Sequence, residues 1–168
     1  MKLYLVRHAE AVNQPVAGER PLTEAGRQDA AALAQAMKAL ALTVPVIWHS
    51  GKARAFQTAE ILNAAICAEQ GLIAHDDLLP MDAIKPIAKL LCNQESDLMI
   101  VGHEPFLGEL AAKLIVGKRR RKVLDLAKCS VACLQRDDAG DWSVIWVITA
   151  ELARKLTQPA PVSAAATP

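Results

Sequence analysis

Histidines and arginines follow short apolar runs in this chain, and that placement suggests chemistry on an anion. Arg7-His8 closes the run Leu3–Val6. His49-Ser50, and then Arg54, follow Val44–Trp48. Gly102-His103-Glu104 follows Leu98–Val101. Uniformly apolar runs of this length, rich in β-formers, read as strands covered on both faces. In an open parallel sheet, ligands bind beyond the carboxyl ends of the strands. Arg7, His8, Arg54 and His103 are therefore expected to converge on one crevice. Arg and His, with Gly and Ser in the surrounding loops, suit an oxyanion such as phosphate. Three acidic partners for a metal do not accompany them, so neither a metal nor a cofactor is expected. Each residue alone has a plainer reading: a lone His after a buried strand is more often a hydrogen-bonded core residue, and Arg54 could sit on an ordinary surface. His49 and His75 are read as structural.

Helical patterns lie between the strands. Thr23 is expected to cap a helix with Ala30, Leu33, Ala34, Met37 and Leu40 at helical spacing. Ala55, Thr58, Ala59, Leu62, Ala65 and Ile66 form the next stripe. Ile84, Ile87, Ala88 and Leu91 form a third, with Asp82 as its expected cap and Pro86 in its first turn, where a missing N–H is tolerated. Pro105 opens a fourth, with Leu107, Leu110, Ala111 and Leu114 inward. Alternating strands and helices imply an α/β fold: a single domain, with a mainly parallel central sheet flanked by helices on both faces. Ser130–Leu134 and Trp142–Ile148, joined by the polar turn at 137–141, are expected to pair as a C-terminal hairpin at one side of the sheet.

The 168 residues suit one domain, and 52% of them are hydrophobic, which excludes disorder for most of the length. The domain is expected over 1–157, with a disordered Pro/Ala-rich tail over 158–168. The net charge of +1 gives no polyanion signal for the whole molecule. The basic run Lys118–Lys122 lacks aromatic platforms and a basic face elsewhere, so no nucleic acid is expected. That run is read first as a solvated loop and second as a rim that docks a partner. Cys67, Cys92, Cys129 and Cys133 form no C-x-x-C pair and are expected to be buried free thiols. The apolar start meets Arg7 too soon for a signal sequence or a membrane span, so the expected compartment is a reducing cytoplasm.

Four segments carry a family resemblance. Leu5-Val6-Arg7-His8-Ala9-Glu10 resembles the R-H-G/A motif of the histidine phosphatase superfamily, also called phosphoglycerate mutase-like. Arg20-Pro21-Leu22-Thr23-Glu24-Ala25-Gly26-Arg27 resembles its R-P-L-T-x-x-G-R segment. The stretch from Ser50 to Ala59 resembles S-P-x-x-R-A-x-Q-T-A, with Gly51 in place of the usual Pro, a change expected to be minor. Val101-Gly102-His103-Glu104-Pro105 resembles the V-G/S-H segment. The resemblance implies a phosphoglycerate mutase-like fold. It makes His8 the nucleophile that becomes phosphohistidine, with Arg7, Arg54 and His103 around the phosphoryl oxygens and Arg20 near the rim. A neutral imidazole is a good nucleophile near pH 7, and its second nitrogen needs a partner, expected to be a backbone carbonyl, to fix the tautomer.

Within that family, longer members carry inserted lids over small substrates. The present chain has short connections, and it resembles the compact SixA-type phosphohistidine phosphatases. The expected substrate is accordingly a histidine-phosphorylated protein, such as a phosphotransfer domain in a signalling relay. Larger relatives place a Glu general acid where this chain has only Asp76, Asp77 and Asp82 as candidates. Breaking P–N needs less acid assistance than breaking P–O to an alkoxide, because imidazole is the better leaving group. The runner-up is a small-molecule phosphomonoesterase on the same fold. A third reading is a non-catalytic module that captures phosphorylated proteins. A monomer is expected.

Overall fold

The computed structural model describes residues 1–117 and 123–157. The basic run Lys118–Lys122 and the tail over 158–168 lie outside the described residues. In chain order the elements are β1 (Lys2–Arg7), α1 (Glu24–Ala39), β2 (Ile47–His49), α2 (Ala53–Ile66), β3 (Leu72–Ala74), α3 (Ile84–Asn93), β4 (Leu98–Gly102), α4 (Phe106–Val116), β5 (Val131–Arg136), β6 (Trp142–Ile148) and α5 (Ala150–Thr157). They build one six-stranded sheet in the order β3-β2-β4-β1-β5-β6. The first four strands in that order are mutually parallel, while β5 runs antiparallel to β1 and β6 antiparallel to β5. This is the expected mainly parallel α/β sheet with a C-terminal hairpin at its side.

The apolar runs follow from the layering. Tyr4 and Val6 of β1, with Met99 and Val101 of β4, face a core shared with α1, α2 and α5. Leu3 and Leu5, with Leu98 and Ile100, face the opposite core under α3 and α4. Alternate residues of a strand point to opposite faces, so a strand covered on both must be apolar throughout. β2 is shorter than its apolar run: it begins at Ile47, because Pro45 cannot donate to a ladder. Val44 and Val46 are still buried beside it.

Local chemistry sets the helix starts. Thr23 caps α1 by accepting from the Gly26 N–H at 3.0 Å. A Cβ at Gly26 would lie 2.1 Å from the Glu10 carbonyl oxygen, so glycine is what lets α1 close on the chain just after His8. Asp82 does not cap α3, contrary to the sequence reading. Ala83 occupies the cap position, and the Asp82 carboxylate accepts from the Leu79 N–H at 2.6 Å, closing the turn before the helix. All four cysteines are free. Cys129 and Cys133 are buried, but Cys67 and Cys92 are exposed, a correction to the expected burial. Cys67 lies past the last turn of α2 in a left-handed conformation, and Cys92 falls outside the inward stripe of α3.

Candidate active site

The carboxyl ends of β1, β2 and β4 adjoin, because β4 lies between the other two strands. Arg7 is the last residue of β1 and stands in register with Gly102, the last of β4. The turn after β1 is then pinned on both sides. The His8 N–H donates to the Gly102 carbonyl at 3.0 Å, and the His8 carbonyl accepts from Cys129 at 3.2 Å. His103 follows β4 immediately, and the His8 and His103 ring centres are 4.9 Å apart. Arg54, in the first turn of α2, donates through Nε to Nε2 of His8 at 3.2 Å. His8, Arg54 and His103 are thus brought together, with Arg7 adjoining His8 in the chain.

The tautomer of His8 follows from its two neighbours. Nδ1 lies 2.7 Å from the Ala9 carbonyl oxygen, which can only accept, so Nδ1 carries the proton. Nε2 is bare and takes the Arg54 N–H. Burial is the main cause that lowers the His8 pKa from 6.5 to about 4. The Ala9 carbonyl opposes that shift, and the charges of Arg54, Arg7 and Lys128 add to it. Hence the ring is neutral near pH 7, with a lone pair on Nε2. His103 is pushed down to about 3, by burial first and then by His8, Arg54, Lys52 and Arg7.

The cations are held by backbone oxygens. Arg7 donates through Nη1 to the Leu126 carbonyl at 2.8 Å. The Leu126 N–H in turn donates to the Glu104 carboxylate, whose other oxygen accepts from Gly108. Glu104 therefore fastens the segment around Leu126 to the start of α4. Arg20 donates through Nε to the Val12 carbonyl at 2.7 Å, and its charge bears on Arg54. The segment containing Arg20 is laced to the chain after His8 by a bridge between Ala11 and Leu22 and by a hydrogen bond from Val12 to Pro21. Lys128 reaches Glu10 at 3.4 Å. The Nε of Arg7 and Nδ1 of His103 are buried and have no hydrogen-bond partner among the described residues. A guanidinium nitrogen and an imidazole nitrogen left without partners, beside Arg54, suit the binding of an anion.

Three residues contribute in ways that the sequence reading did not assign. Thr58 is fully buried; it accepts from the Ala9 N–H at 3.0 Å and donates to the Arg54 carbonyl at 2.7 Å. One hydroxyl therefore joins the His8–Ala9 turn to the helix that bears Arg54. Its position on the inward stripe of α2 suggested only packing. Ser50 lies 2.6 Å from Nε2 of His103. Lys128 lies in a stretch without periodicity and carried no signal at all. Gly51 is more than a minor change. Its φ of +72° is closed to proline, and its N–H donates to Nδ1 of His49 at 3.1 Å, which proline could not do. His75 accepts from the Asp77 N–H and lies against Trp48, in line with a structural role. Among the described residues, no group of three or more His, Cys, Asp or Glu is placed to hold a metal ion.

Comparisons with known proteins agree with this arrangement. Residues 3–83 match the family model of the histidine phosphatase superfamily, branch 1. An uncharacterized protein of Picosynechococcus sp. is 32% identical over 142 residues, covering 80% of this chain and 85% of its own. Among solved structures, the protein histidine phosphatase SixA complexed with tungstate superposes with a TM-score of 0.80 at 20% identity, over 89% of this chain and 97% of that one. A phosphoserine phosphatase of Entamoeba histolytica bound to 3-phosphoglyceric acid superposes with a TM-score of 0.65 at 18% identity, over 90% of this chain and 98% of that one. The solved structures share the fold, the family model spans the segments that supply Arg7, His8, Arg20 and Arg54, and the chain belongs to the histidine phosphatase superfamily.

Proposed function

We propose that this protein is a phosphatase that acts through a phosphohistidine formed on His8, and that its preferred substrate is phosphohistidine on a protein. The observation that carries the reading is the neutral His8 ring, proton on Nδ1 against Ala9 and lone pair on Nε2 beside Arg54. In the first step the Nε2 lone pair attacks phosphorus. A bond from His8 to phosphorus forms, the P–N bond of the substrate breaks, and the leaving imidazole nitrogen takes a proton from solvent water. In the second step water attacks the phosphohistidine, the bond to His8 breaks, and inorganic phosphate leaves. Charge that gathers on the equatorial oxygens meets Arg7, Arg54, His103 and, at the rim, Arg20.

Preference for P–N over P–O rests on the acid. The charges bearing on His8 are the cationic ones of Arg54, Arg7 and Lys128. Of the three acid candidates, Asp82 already accepts from the Leu79 N–H, and Asp76 and Asp77 lie in a short helical turn after the edge strand β3. An imidazole leaving group tolerates a weak acid, whereas an alkoxide does not. Short connections after β2 (residues 50–52) and β4 (103–105) fit a phosphate displayed on another protein. That the SixA structure is named a protein histidine phosphatase supports the same reading. A steady-state comparison tests it: kcat/KM on a histidine-phosphorylated phosphotransfer protein should exceed that on phosphoserine and sugar phosphates. A large preference for a small ester would move the function to a phosphomonoesterase.

A further inference from the structure

His103 is 2% exposed, so its two ring nitrogens must be accounted for within the protein. Nε2 lies 2.6 Å from the hydroxyl of Ser50, itself buried, while Nδ1 has no partner among the described residues. A serine hydroxyl can donate or accept, so the contact allows two states. If the ring donates from Nε2, then Nδ1 keeps a bare lone pair, buried and unmatched. That lone pair would repel the oxygen of an incoming anion. If the hydroxyl donates to Nε2, the single proton of the neutral ring sits on Nδ1, as a donor waiting for an acceptor.

We propose that Ser50 is a positioning residue: its hydroxyl donates to Nε2 of His103 and so keeps the ring's proton on Nδ1, facing the anion that His8 receives. This rests on the phosphatase reading above and goes beyond it, since it assigns which atom of His103 meets the phosphoryl oxygen. The logic matches that of metal-bound and catalytic histidines, where the partner of one nitrogen sets the role of the other.

Ser50 is placed by its neighbours. It follows the last residue of β2, whose ladder with β4 holds His49 opposite Val101, two residues before His103. The next residue, Gly51, turns the chain at φ +72° and donates its N–H to Nδ1 of His49. The buried His49 ring packs against Phe56 of α2 at 5.3 Å. The turn is thereby tied to the strand it leaves and to the helix that carries Arg54. A chain with proline at position 51 could form neither the turn nor the hydrogen bond, so this sequence builds its own support for the serine.

The test is the tautomer itself. In protein labelled with ¹⁵N-histidine, long-range ¹H–¹⁵N correlation at pH 7 should show His103 protonated on Nδ1. In Ser50→Ala the pattern should move toward the Nε2–H form that free histidine prefers. Ser50→Thr, which keeps the hydroxyl, should retain the wild-type pattern. Tungstate, used as the phosphate mimic, should bind Ser50→Ala about tenfold or more weakly, as expected for a lost hydrogen bond to a charged group. A wild-type ring protonated on Nε2 would overturn the proposal. So would weakened tungstate binding with an unchanged tautomer, because Ser50 would then touch the anion directly. Neither result bears on whether His8 carries phosphate, which the tautomer measurement does not read.

Discussion

At the scale of single residues, the chemistry turns on which nitrogen holds a proton. In the proposed reaction two contacts fit His8 for the nucleophile's part, Ala9 on one side and Arg54 on the other. Burial keeps the ring neutral far below the usual imidazole range, so in the free protein His8 should titrate near pH 4 rather than 6.5. NMR of the ring resonances checks this, and a midpoint at 6.5 would mean that the ring is solvated. Arg54 belongs to the same centre. Arg54→Ala should lower kcat/KM by ~10²–10³, the usual loss for one preorganised donor to developing charge. Retention of most activity would place Arg54 outside the pocket. Residue types and their positions after strands were legible in the sequence. The atoms that hold them were not, because a backbone carbonyl such as Leu126 leaves no mark in an amino-acid string.

At the scale of elements, the site depends on how closely α1 and α2 approach the turn after β1. Thr58 ties that turn to α2, and Gly26 lets α1 reach it. Thr58→Val keeps the shape but leaves the Ala9 N–H unpaired, which should cost about 1–3 kcal/mol of stability and lower kcat as well. Denaturant unfolding and initial rates measure both, and an unchanged kcat would reduce Thr58 to packing. Gly26→Ala cannot be absorbed by a flexible side chain, since the clash is with backbone. It should destabilise by about 1–3 kcal/mol or more, seen as a lower denaturant midpoint. Elements with strong patterns were readable. β1, β4, α1, α2 and α4 appear where periodicity put them, because each is buried along a definite face. β3 was missed, since a three-residue edge strand with mostly exposed side chains has no period to detect. α5 was missed too. Ala153 is its one fully buried residue, and it is held to α1 in part by the ion pair of Arg154 with Asp29.

For the whole molecule, pH couples the site to stability. His8 and His103 refuse protons in the folded state that the unfolded chain accepts near 6.5. Below that pH the unfolded state binds more protons, so stability should fall as pH drops from about 6.5 toward 3–4 and level off beyond. Above 6.5 neither ring contributes a difference. Replacing His103 with Gln should flatten part of that slope in denaturant melts taken at several pH values, and an unchanged slope would assign it elsewhere. The domain as a whole was legible because strands and helices alternate. Its lateral order was not, since nothing local says that β4 inserts between β1 and β2. That insertion is what joins Arg7-His8 to His103. The most direct measurement at this scale is capture of the intermediate. Protein quenched in alkali during turnover of a labelled phosphohistidine substrate should carry acid-labile, alkali-stable phosphate, mapped by mass spectrometry to His8, and His8→Ala should carry none and turn over no substrate. Unlabelled wild type together with near-wild-type turnover by His8→Ala would contradict covalent catalysis at His8.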